Sequence, residues 1–265
     1  MKVGLSSACF FMRELNEDAV KIIDKLDIKL AEVFLGTFSE YLPEFARTLL
    51  KNKGQVKINS VHTLNTQFEP QLFTTHPRAK EDAFYWLRQA LESAQILQAK
   101  YYCLHGIARL KKNSTPKDHG ELAHYFDEIM QTCAEYNVEL CLENVHWALY
   151  NEPHIFRQIK VRCPNLKGVL DVKHARIAGH SYIDYIHDMQ DSIAFAHVSD
   201  YTPDGKMCLP GKGIFPFREC IKRMMDYGFD GSLIIEVYTG DYKEYEELYQ
   251  SYMYLQELIY KLKSH

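Results

Sequence analysis

The sequence lacks any apolar run of the length that crosses a membrane. No stretch approaches the roughly 18 consecutive apolar residues that a spanning helix needs. The N-terminal stretch MKVGLSSACFFMRELNED becomes polar too early for a signal peptide. The 265 residues are 46% hydrophobic and 25% charged, which is typical of a globular protein. We therefore predict a cytoplasmic protein without a membrane partner.

Paired cysteines and excess positive charge are also missing. The seven cysteines are scattered and include no CxxC pair, which argues against a disulfide framework and against a thiolate zinc site. The formal net charge of -4 gives no general attraction to polyanions, so nucleic acid is a disfavoured partner. No linker or low-complexity segment divides the chain, and residues 1–265 are predicted to form one domain.

Short apolar runs alternate with longer segments whose apolar residues have helical spacing. Eight candidate strands cover residues 2–8, 30–35, 57–63, 100–106, 139–145, 166–172, 193–200 and 232–237. Alternating strands and helices favour parallel pairing, and eight such units in this length predict a (β/α)8 barrel. An open doubly wound sheet is the alternative, but the first strand is followed by SSACFFMRE, which has no glycine-rich phosphate turn.

Polar residues end six consecutive candidate strands, where barrels of this type carry their chemistry. They are His62, His105, Glu143 with Asn144 and His146, Asp171 with His174, His197 with Asp200, and Glu236. Each buried carboxylate costs several kcal/mol unless it is paired or binds a metal. Two glutamates, an aspartate and a histidine that converge would repel one another without a cation, so a divalent ion is predicted. The ligand types alone allow Mn²⁺, Mg²⁺, Co²⁺, Fe²⁺ or Zn²⁺.

The order of short motifs along these strands resembles the xylose isomerase-like barrel superfamily, in particular its sugar phosphate isomerase/epimerase branch. The motifs are LEN at Glu143, LDVKH at Asp171, HVSD at His197, the LPGKG loop at 209–213 and IIEV at Glu236. The resemblance implies that Glu143, Asp171, His197 and Glu236 bind one divalent metal ion, with Mn²⁺ or Zn²⁺ preferred.

The resemblance also implies proton transfer beside a carbonyl through an enediolate, with Glu143 and Glu236 as acid and base; the alternative is that both are only ligands. We expect a small carbohydrate substrate. Its predicted contacts are His62, His105, His174, Trp147 and Lys212. His62, His105 and His174 are also candidates to bind a second ion or to form hydrogen bonds that support the metal ligands. The glycines at 211 and 213 could donate backbone hydrogen bonds to a ligand or could form a plain turn.

Three alternatives share this metal frame. Zinc nucleases of the endonuclease IV type belong to the same superfamily, but they carry an Asp-x-His pair where this chain has Asp204 and Lys206. The ketohexose 3-epimerases carry an arginine where this chain has Thr202 and Pro203, which leaves keto-acid isomerisation and dehydration of an inosose open. A barrel that binds metal without catalysis is the third.

The sequence does not indicate the oligomeric state, and a homodimer is one alternative.

Overall fold

The architecture is built from short, buried strands that alternate with helices, as seen in a computed structural model that describes residues 1–64, 66–108 and 119–264. The barrel strands, numbered one to eight, are Lys2–Ser6, Leu30–Leu35, Lys57–Thr63, Tyr101–Leu104, Glu139–Glu143, Lys167–Asp171, Ile193–Val198 and Ser232–Ile235. Within the described residues, the helices are α1 (Asn16–Lys25), α2 (Pro43–Asn52), α3 (Pro77–Ile96), α4 (Ala123–Glu135), α5 (Ile155–Lys160), α6 (Val172–Ile177), α7 (Tyr182–Met189), α8 (Phe217–Asp226) and α9 (Tyr245–Lys263).

Each strand pairs in parallel with its neighbours along the chain, and strand eight pairs with strand one to close the barrel. The closing register sets Val3 opposite Leu233 and Leu5 opposite Ile235. The predicted (β/α)8 barrel is therefore confirmed, and it covers the chain. No helix in the described residues is long and apolar enough to cross a membrane.

Several strands end earlier than the sequence pattern predicts. Strand one stops at Ser6 because Ser7–Phe10 forms a 3-10 helix, which begins where the Ser6 side chain accepts a hydrogen bond from the Ala8 amide. Strand seven stops at Val198, and Asp200–Tyr201 pairs instead with Met207–Cys208 in a small antiparallel hairpin. His62, Glu143, Asp171 and His197 lie in the last residues of their strands, whereas His105, Asn144, Asp200 and Glu236 lie just beyond the barrel strands.

The barrel interior is apolar near its base. Its buried layer consists of Leu30, Cys103, Cys141, Val169, Ala194, Phe195 and Ile234, with Tyr101 packed against it. A larger apolar cluster fills the space between the strands and the surrounding helices. Helix α9 contributes to that cluster by burying Leu248, Leu255 and Ile259, each of which contributes about 1.5–3 kcal/mol of burial free energy. Six of the seven cysteines are buried, and none is in a disulfide.

Helix α5 obtains its N-terminal cap from another helix. His154 precedes α5 with φ 78° and makes no side-chain cap. The buried carboxylate of Asp188, on α7, accepts hydrogen bonds from the backbone amides of Phe156 (3.2 Å) and Arg157 (3.3 Å). It also accepts one from the hydroxyl of Tyr150 at 2.9 Å. Asp188 therefore joins the loop after strand five to α5 and α7.

Replacing Asp188 by alanine is expected to lower the free energy of unfolding by about 2–4 kcal/mol, because the buried donors of Tyr150 and Phe156 lose their acceptor. Urea unfolding followed by circular dichroism measures the change. Asp184→Ala, at an exposed position on the same helix, is the control and should cost less than about 1 kcal/mol. Equal losses in the two variants would contradict the capping role.

Candidate metal and active site

A layer of titratable side chains lies directly above the apolar layer of the barrel interior. Alternate strand residues face the same side, so the residues two positions further along the strands also point inward. They are Glu32, His105, Glu143, Asp171, His197 and Glu236. The apolar interior therefore changes to a polar one at the C-terminal end of the strands.

Four of these side chains meet at one point. The Nδ1 atom of His197 lies 2.9 Å from Glu143 Oε1, 2.9 Å from Glu236 Oε2 and 4.0 Å from Asp171 Oδ2. One candidate ligand atom from each of the four residues lies within 4.8 Å of the others. Glu236 is the most exposed of the four, at 14% of its side chain, and the other three are exposed by at most 1%. The structure thus brings together the four residues that the sequence nominated as metal ligands.

The cluster holds more negative charge than its own histidine neutralises. Two like charges about 4 Å apart repel by roughly 4 kcal/mol at an effective dielectric constant near 20. Burial raises the pKa of Asp171 to about 7, and the charges of Glu143 and Glu236 add to the effect against the opposing charge of Lys173. Burial disfavours the charged form of His197, yet the surrounding carboxylates raise its pKa well above the usual value. An additional positive charge at this position would therefore stabilise the ionised carboxylates.

The unpaired oxygens of this cluster match a divalent cation. In the described part of the chain, Asp171 Oδ2 and Glu236 Oε2 are buried and receive no hydrogen bond. Buried carboxylate oxygens without donors are costly unless a cation satisfies them. Three carboxylates and one imidazole nitrogen are a donor set that divalent metals bind, although this set does not select one metal. The residues therefore fit the ion that the sequence predicted.

Glu32 supports the cluster from strand two and was not identified from the sequence. Its Oε1 atom lies 2.9 Å from His197 Nε2, on the opposite side of the ring from the cluster. The hydroxyls of Ser60 (2.7 Å) and Ser6 (3.2 Å) donate to the same carboxylate. A carboxylate behind a histidine ligand fixes the ring orientation and increases its basicity. The available signal was the single acid in the apolar run LAEVFL.

Asn144 fixes the backbone that carries Asp171. Its side-chain amide donates to the carbonyl of Asp171 at 2.8 Å, and its side-chain oxygen accepts from the amide of Asp171 at 2.8 Å. Asp171 Oδ1 then accepts from the amide of His174 at 2.7 Å and caps α6. One carboxylate oxygen is therefore used by the fold, while the other faces the cluster.

A histidine pair lies on the other side of Glu143. The Nε2 atoms of His62 and His105 are 3.0 Å apart, and His105 Nε2 is 3.1 Å from Glu143 Oε2. Ligand atoms of these three residues also lie within 4.8 Å of one another. Burial opposes protonation of His62, but a hydrogen bond with Glu32 and the charge of Glu143 raise its pKa to about 8. Glu143 is thus shared by two potential cation-binding groups.

Two further predicted substrate contacts, His174 and Trp147, lie on the rim of the same site. His174 and His146 are linked through their Nδ1 atoms at 2.7 Å, and the ring of Trp147 lies 5.1 Å from that of His105. Burial, aided by the charge of Lys173, lowers the pKa of His174 to about 3, so His174 is neutral. A neutral imidazole offers one donor and one acceptor, and one nitrogen of His174 is occupied by His146.

These groups line a cavity of about 240 Å³ that opens at the barrel mouth. Its lining includes His62, His105, Glu143, Trp147, His174 and Glu236. It also includes Phe11, Phe34, Lys173 and Tyr238. The Nζ atom of Lys173 lies 3.8 Å from Asp171 Oδ2 and 4.8 Å from the centroid of the Tyr238 ring. A small ligand in this cavity would contact the cluster through Glu143 and Glu236.

Lys212 and the glycine loop occupy a different position. Lys212 is exposed and is not among the described residues that line the cavity. The buried carboxylate of Asp200 accepts from the amides of Gly211 (3.1 Å), Gly213 (3.0 Å) and Phe215 (2.8 Å). A Cβ atom at Gly213 would collide with this carboxylate and with the carbonyl of Tyr201. The loop donates to Asp200, as a structural turn, and a substrate contact by Lys212 stays a prediction.

Comparison with solved structures finds the same fold in sugar epimerases and in a protein with a bound zinc atom. A D-tagatose 3-epimerase-like protein superposes with a TM-score of 0.78 at 20% identity, covering 100% of this chain and 99% of the other. The IolI protein with a bound zinc atom gives 0.77 at 16% identity, with coverage of 98% and 99%. D-psicose 3-epimerase from Clostridium cellulolyticum H10 gives 0.76 at 16% identity, with the same coverage.

At these identities the likeness establishes the fold alone. Comparison with curated proteins finds no match. The family assignment comes from the sequence itself, since a family model described as xylose isomerase-like TIM barrel matches residues 12–258. This range includes all four residues of the cluster as well as Glu32 and the two histidines beside it. The chain belongs to the xylose isomerase-like TIM barrel family.

Proposed function

We propose that this protein is a divalent-metal-dependent isomerase or epimerase of a sugar, sugar phosphate or keto acid. The observation that carries the proposal is the approach of Glu143 and Glu236, from strands five and eight, to the same imidazole nitrogen at the cavity. Family membership and the epimerase fold of the structural neighbours support it.

Glu143, Asp171, His197 and Glu236 would hold the ion, with Mn²⁺ or Zn²⁺ as the preferred metals. A bound divalent ion would supply Lewis-acid stabilisation of the negative charge that develops on substrate oxygens. Glu32 would keep the His197 ring in the orientation that presents Nδ1 to the ion. Asn144 would hold the backbone of Asp171 in place.

Glu143 and Glu236 would exchange the proton at the carbon beside the carbonyl. Strands six and seven separate the strands that carry them, so the two carboxylates enter the cavity from different sides. Burial opposes ionisation, but the charge of His197 holds the pKa of both carboxyls below the usual range. Both carboxylates would therefore be ionised and able to act as bases. One would remove the proton to give an enediolate, and the other would take a proton from solvent and deliver it to the opposite face. The alternative is that both act only as ligands.

Neighbouring side chains would orient the substrate. His62, His105 and His174 offer ring nitrogens to hydroxyl groups, and Trp147 offers an apolar face to a sugar ring. The buried ammonium group of Lys173 lies near the cluster and would stabilise the developing oxyanion. The proposed partner is therefore a small carbohydrate in the cytoplasm.

A dehydratase of the inosose type stays the nearest alternative, because it would use the same metal frame and the same bases. The nuclease alternative has one favourable observation, the second potential cation group at His62, His105 and Glu143. The Asp-x-His pair that these nucleases carry is replaced here by Asp204 and Lys206, which are exposed in the hairpin after strand seven. We infer that proton transfer on a small molecule is favoured over phosphodiester cleavage.

Elemental analysis of the purified protein is expected to find one tightly bound divalent metal ion per chain. Asp171→Asn should bind it more weakly, because one of three charged ligands becomes neutral. Three zinc ions per chain, together with incision of duplex DNA at abasic sites, would instead establish the nuclease alternative. Metal-free protein after careful purification and after exposure to Mn²⁺ and Zn²⁺ would exclude the metal site.

Incubation of metal-loaded protein with candidate ketoses and keto acids in deuterated water is expected to incorporate deuterium beside the carbonyl, as followed by NMR. Glu236→Gln should slow the exchange by about 10²–10⁴-fold, the usual contribution of a general acid or base. Glu246→Gln, in the exposed first turn of α9, is the matched control and should leave the exchange unchanged.

The metal content of Glu236→Gln separates its two roles. A variant that keeps its ion and loses exchange supports the acid–base role, whereas loss of the ion together with exchange indicates a ligand only. Exchange at the wild-type rate would remove Glu236 from the reaction.

Glu32→Gln is expected to weaken metal binding by about 10–100-fold, because the His197 ring loses the carboxylate that orients it. Competition with a fluorescent chelator measures the affinity without any substrate. Glu69→Gln is the control, since that buried carboxylate accepts instead from Thr63, Tyr102 and the amide of His105. If the two variants bind the metal equally well, Glu32 has no specific role in metal binding.

A further inference from the structure

A second cavity lies beside the candidate reaction cavity, between the loops that follow strands one and two. Its volume is about 360 Å³, compared with 240 Å³ for the reaction cavity. The two cavities share Phe11 and Phe34 as lining residues. We call the second cavity the rim groove; its other lining residues include Ser7, Arg13, Asn16, Thr37 and Glu40.

Two aromatic side chains, Phe11 and Phe34, lie between the reaction cavity and the rim groove. The ring of Phe34 packs edge-on against His62 at 5.3 Å between centroids, and Phe11 packs edge-on against Phe34 at 5.5 Å. Phe11 is 45% exposed, so part of its ring is open to a ligand. A molecule bound near His62 can therefore extend along aromatic faces into the rim groove, where the C–H faces of a sugar ring can pack.

The polar wall of the rim groove is fixed before any ligand binds. Ser7 Oγ donates to Asn16 Oδ1 at 2.6 Å, and Asn16 Nδ2 donates to Glu40 Oε1 at 3.1 Å. Glu40 Oε2 in turn accepts from the amide of Gly36 at 2.6 Å. A carboxylate has about four acceptor positions, so the half-buried Glu40 retains capacity for hydroxyl donors.

Arg13 contributes hydrogen-bond donors to the lining of the rim groove from an exposed position. Its guanidinium packs over the rings of Tyr242 (5.1 Å) and Tyr245 (4.7 Å), and its Nη2 donates to the carbonyl of Lys243 at 2.7 Å. Preformed polar groups beside an aromatic face bind a ligand at low entropic cost.

The charges of the rim groove select between possible extensions of the substrate. Its charged lining residues, among those described, are Arg13, Glu14 and Glu40, which together carry more negative than positive charge. A phosphate group would meet two carboxylates, whereas a neutral ring with several hydroxyls would find acceptors, donors and an aromatic face. The chemistry of the groove therefore favours a neutral sugar over a phosphate.

We infer that the rim groove binds a second sugar ring, and that the preferred substrate is a glycoside of disaccharide size. The inference rests on the proposed proton transfer in the adjoining cavity. The reaction cavity alone is smaller than the roughly 300–1,000 Å³ of a typical ligand site. The rim groove supplies the missing space at the side where Phe34 adjoins it.

The test compares ketoses with their glucosides, each pair sharing the same reacting carbon, by solvent deuterium exchange with metal-loaded protein. The kcat/KM of the accepted glucoside should exceed that of its parent ketose by at least about tenfold, as additional binding contacts usually provide. Thr37→Trp places a large side chain at the exposed rim of the groove and should bring this ratio close to one. Thr48→Trp, at an exposed position on α2, is the matched control and should retain the wild-type ratio.

The outcomes separate this inference from the proposed function. Exchange of ketoses without preference for their glucosides, or a ratio that Thr37→Trp leaves unchanged, would overturn the rim groove assignment alone. Absence of exchange for every ketose and glucoside would overturn the proton transfer and the glycoside preference together. If the tryptophan variant melts at a lower temperature than wild type, Thr37→Arg fills the same space with a flexible chain and repeats the test.

Discussion

Repulsion among three buried carboxylates is the constraint on which the mouth of this barrel depends. Glu143, Asp171 and Glu236 converge on His197, and Asp171 Oδ2 and Glu236 Oε2 are buried without a hydrogen bond. Such an arrangement is costly by several kcal/mol unless a cation satisfies it. The cost is consistent with a site kept for chemistry, because apolar residues would stabilise the same position better. A bound divalent ion would account for the arrangement, and the proposed proton transfer would use the same carboxylates.

The scaffold holds these charges in place through neutral and charged neighbours. Glu32 lies behind His197, and Asn144 clamps the backbone of Asp171. The loop after strand seven is tied in a similar way, since Asp200 accepts from the amides of the glycine loop. These contacts are made between strands or loops that are distant in sequence. Small displacements of the ligands would weaken both metal binding and proton transfer, so the supporting contacts serve the chemistry as well as the fold.

The sequence predicted the architecture because short apolar runs and helical segments alternate eight times. It predicted that Glu143, Asp171, His197 and Glu236 meet because polar residues end successive strands. Glu32 was missed because it lies in the middle of an apolar run, where only the three-dimensional register with His197 reveals its role. The position of Lys212 and the use of the glycine amides by Asp200 were also hidden, because loop conformation follows from tertiary contacts rather than local pattern. The sequence did not indicate that Phe11 and Phe34 line the cavities, since apolar residues are expected in any core.

The central claim is that one divalent ion is held by Glu143, Asp171, His197 and Glu236. The most direct test is anomalous diffraction from crystals grown with Zn²⁺ and measured at its absorption edge. The account predicts one strong peak bonded to all four residues, at about 2.0–2.2 Å from their oxygen and nitrogen atoms. A map without a peak at this position, or with metal bound only by His62, His105 and Glu143, would contradict it.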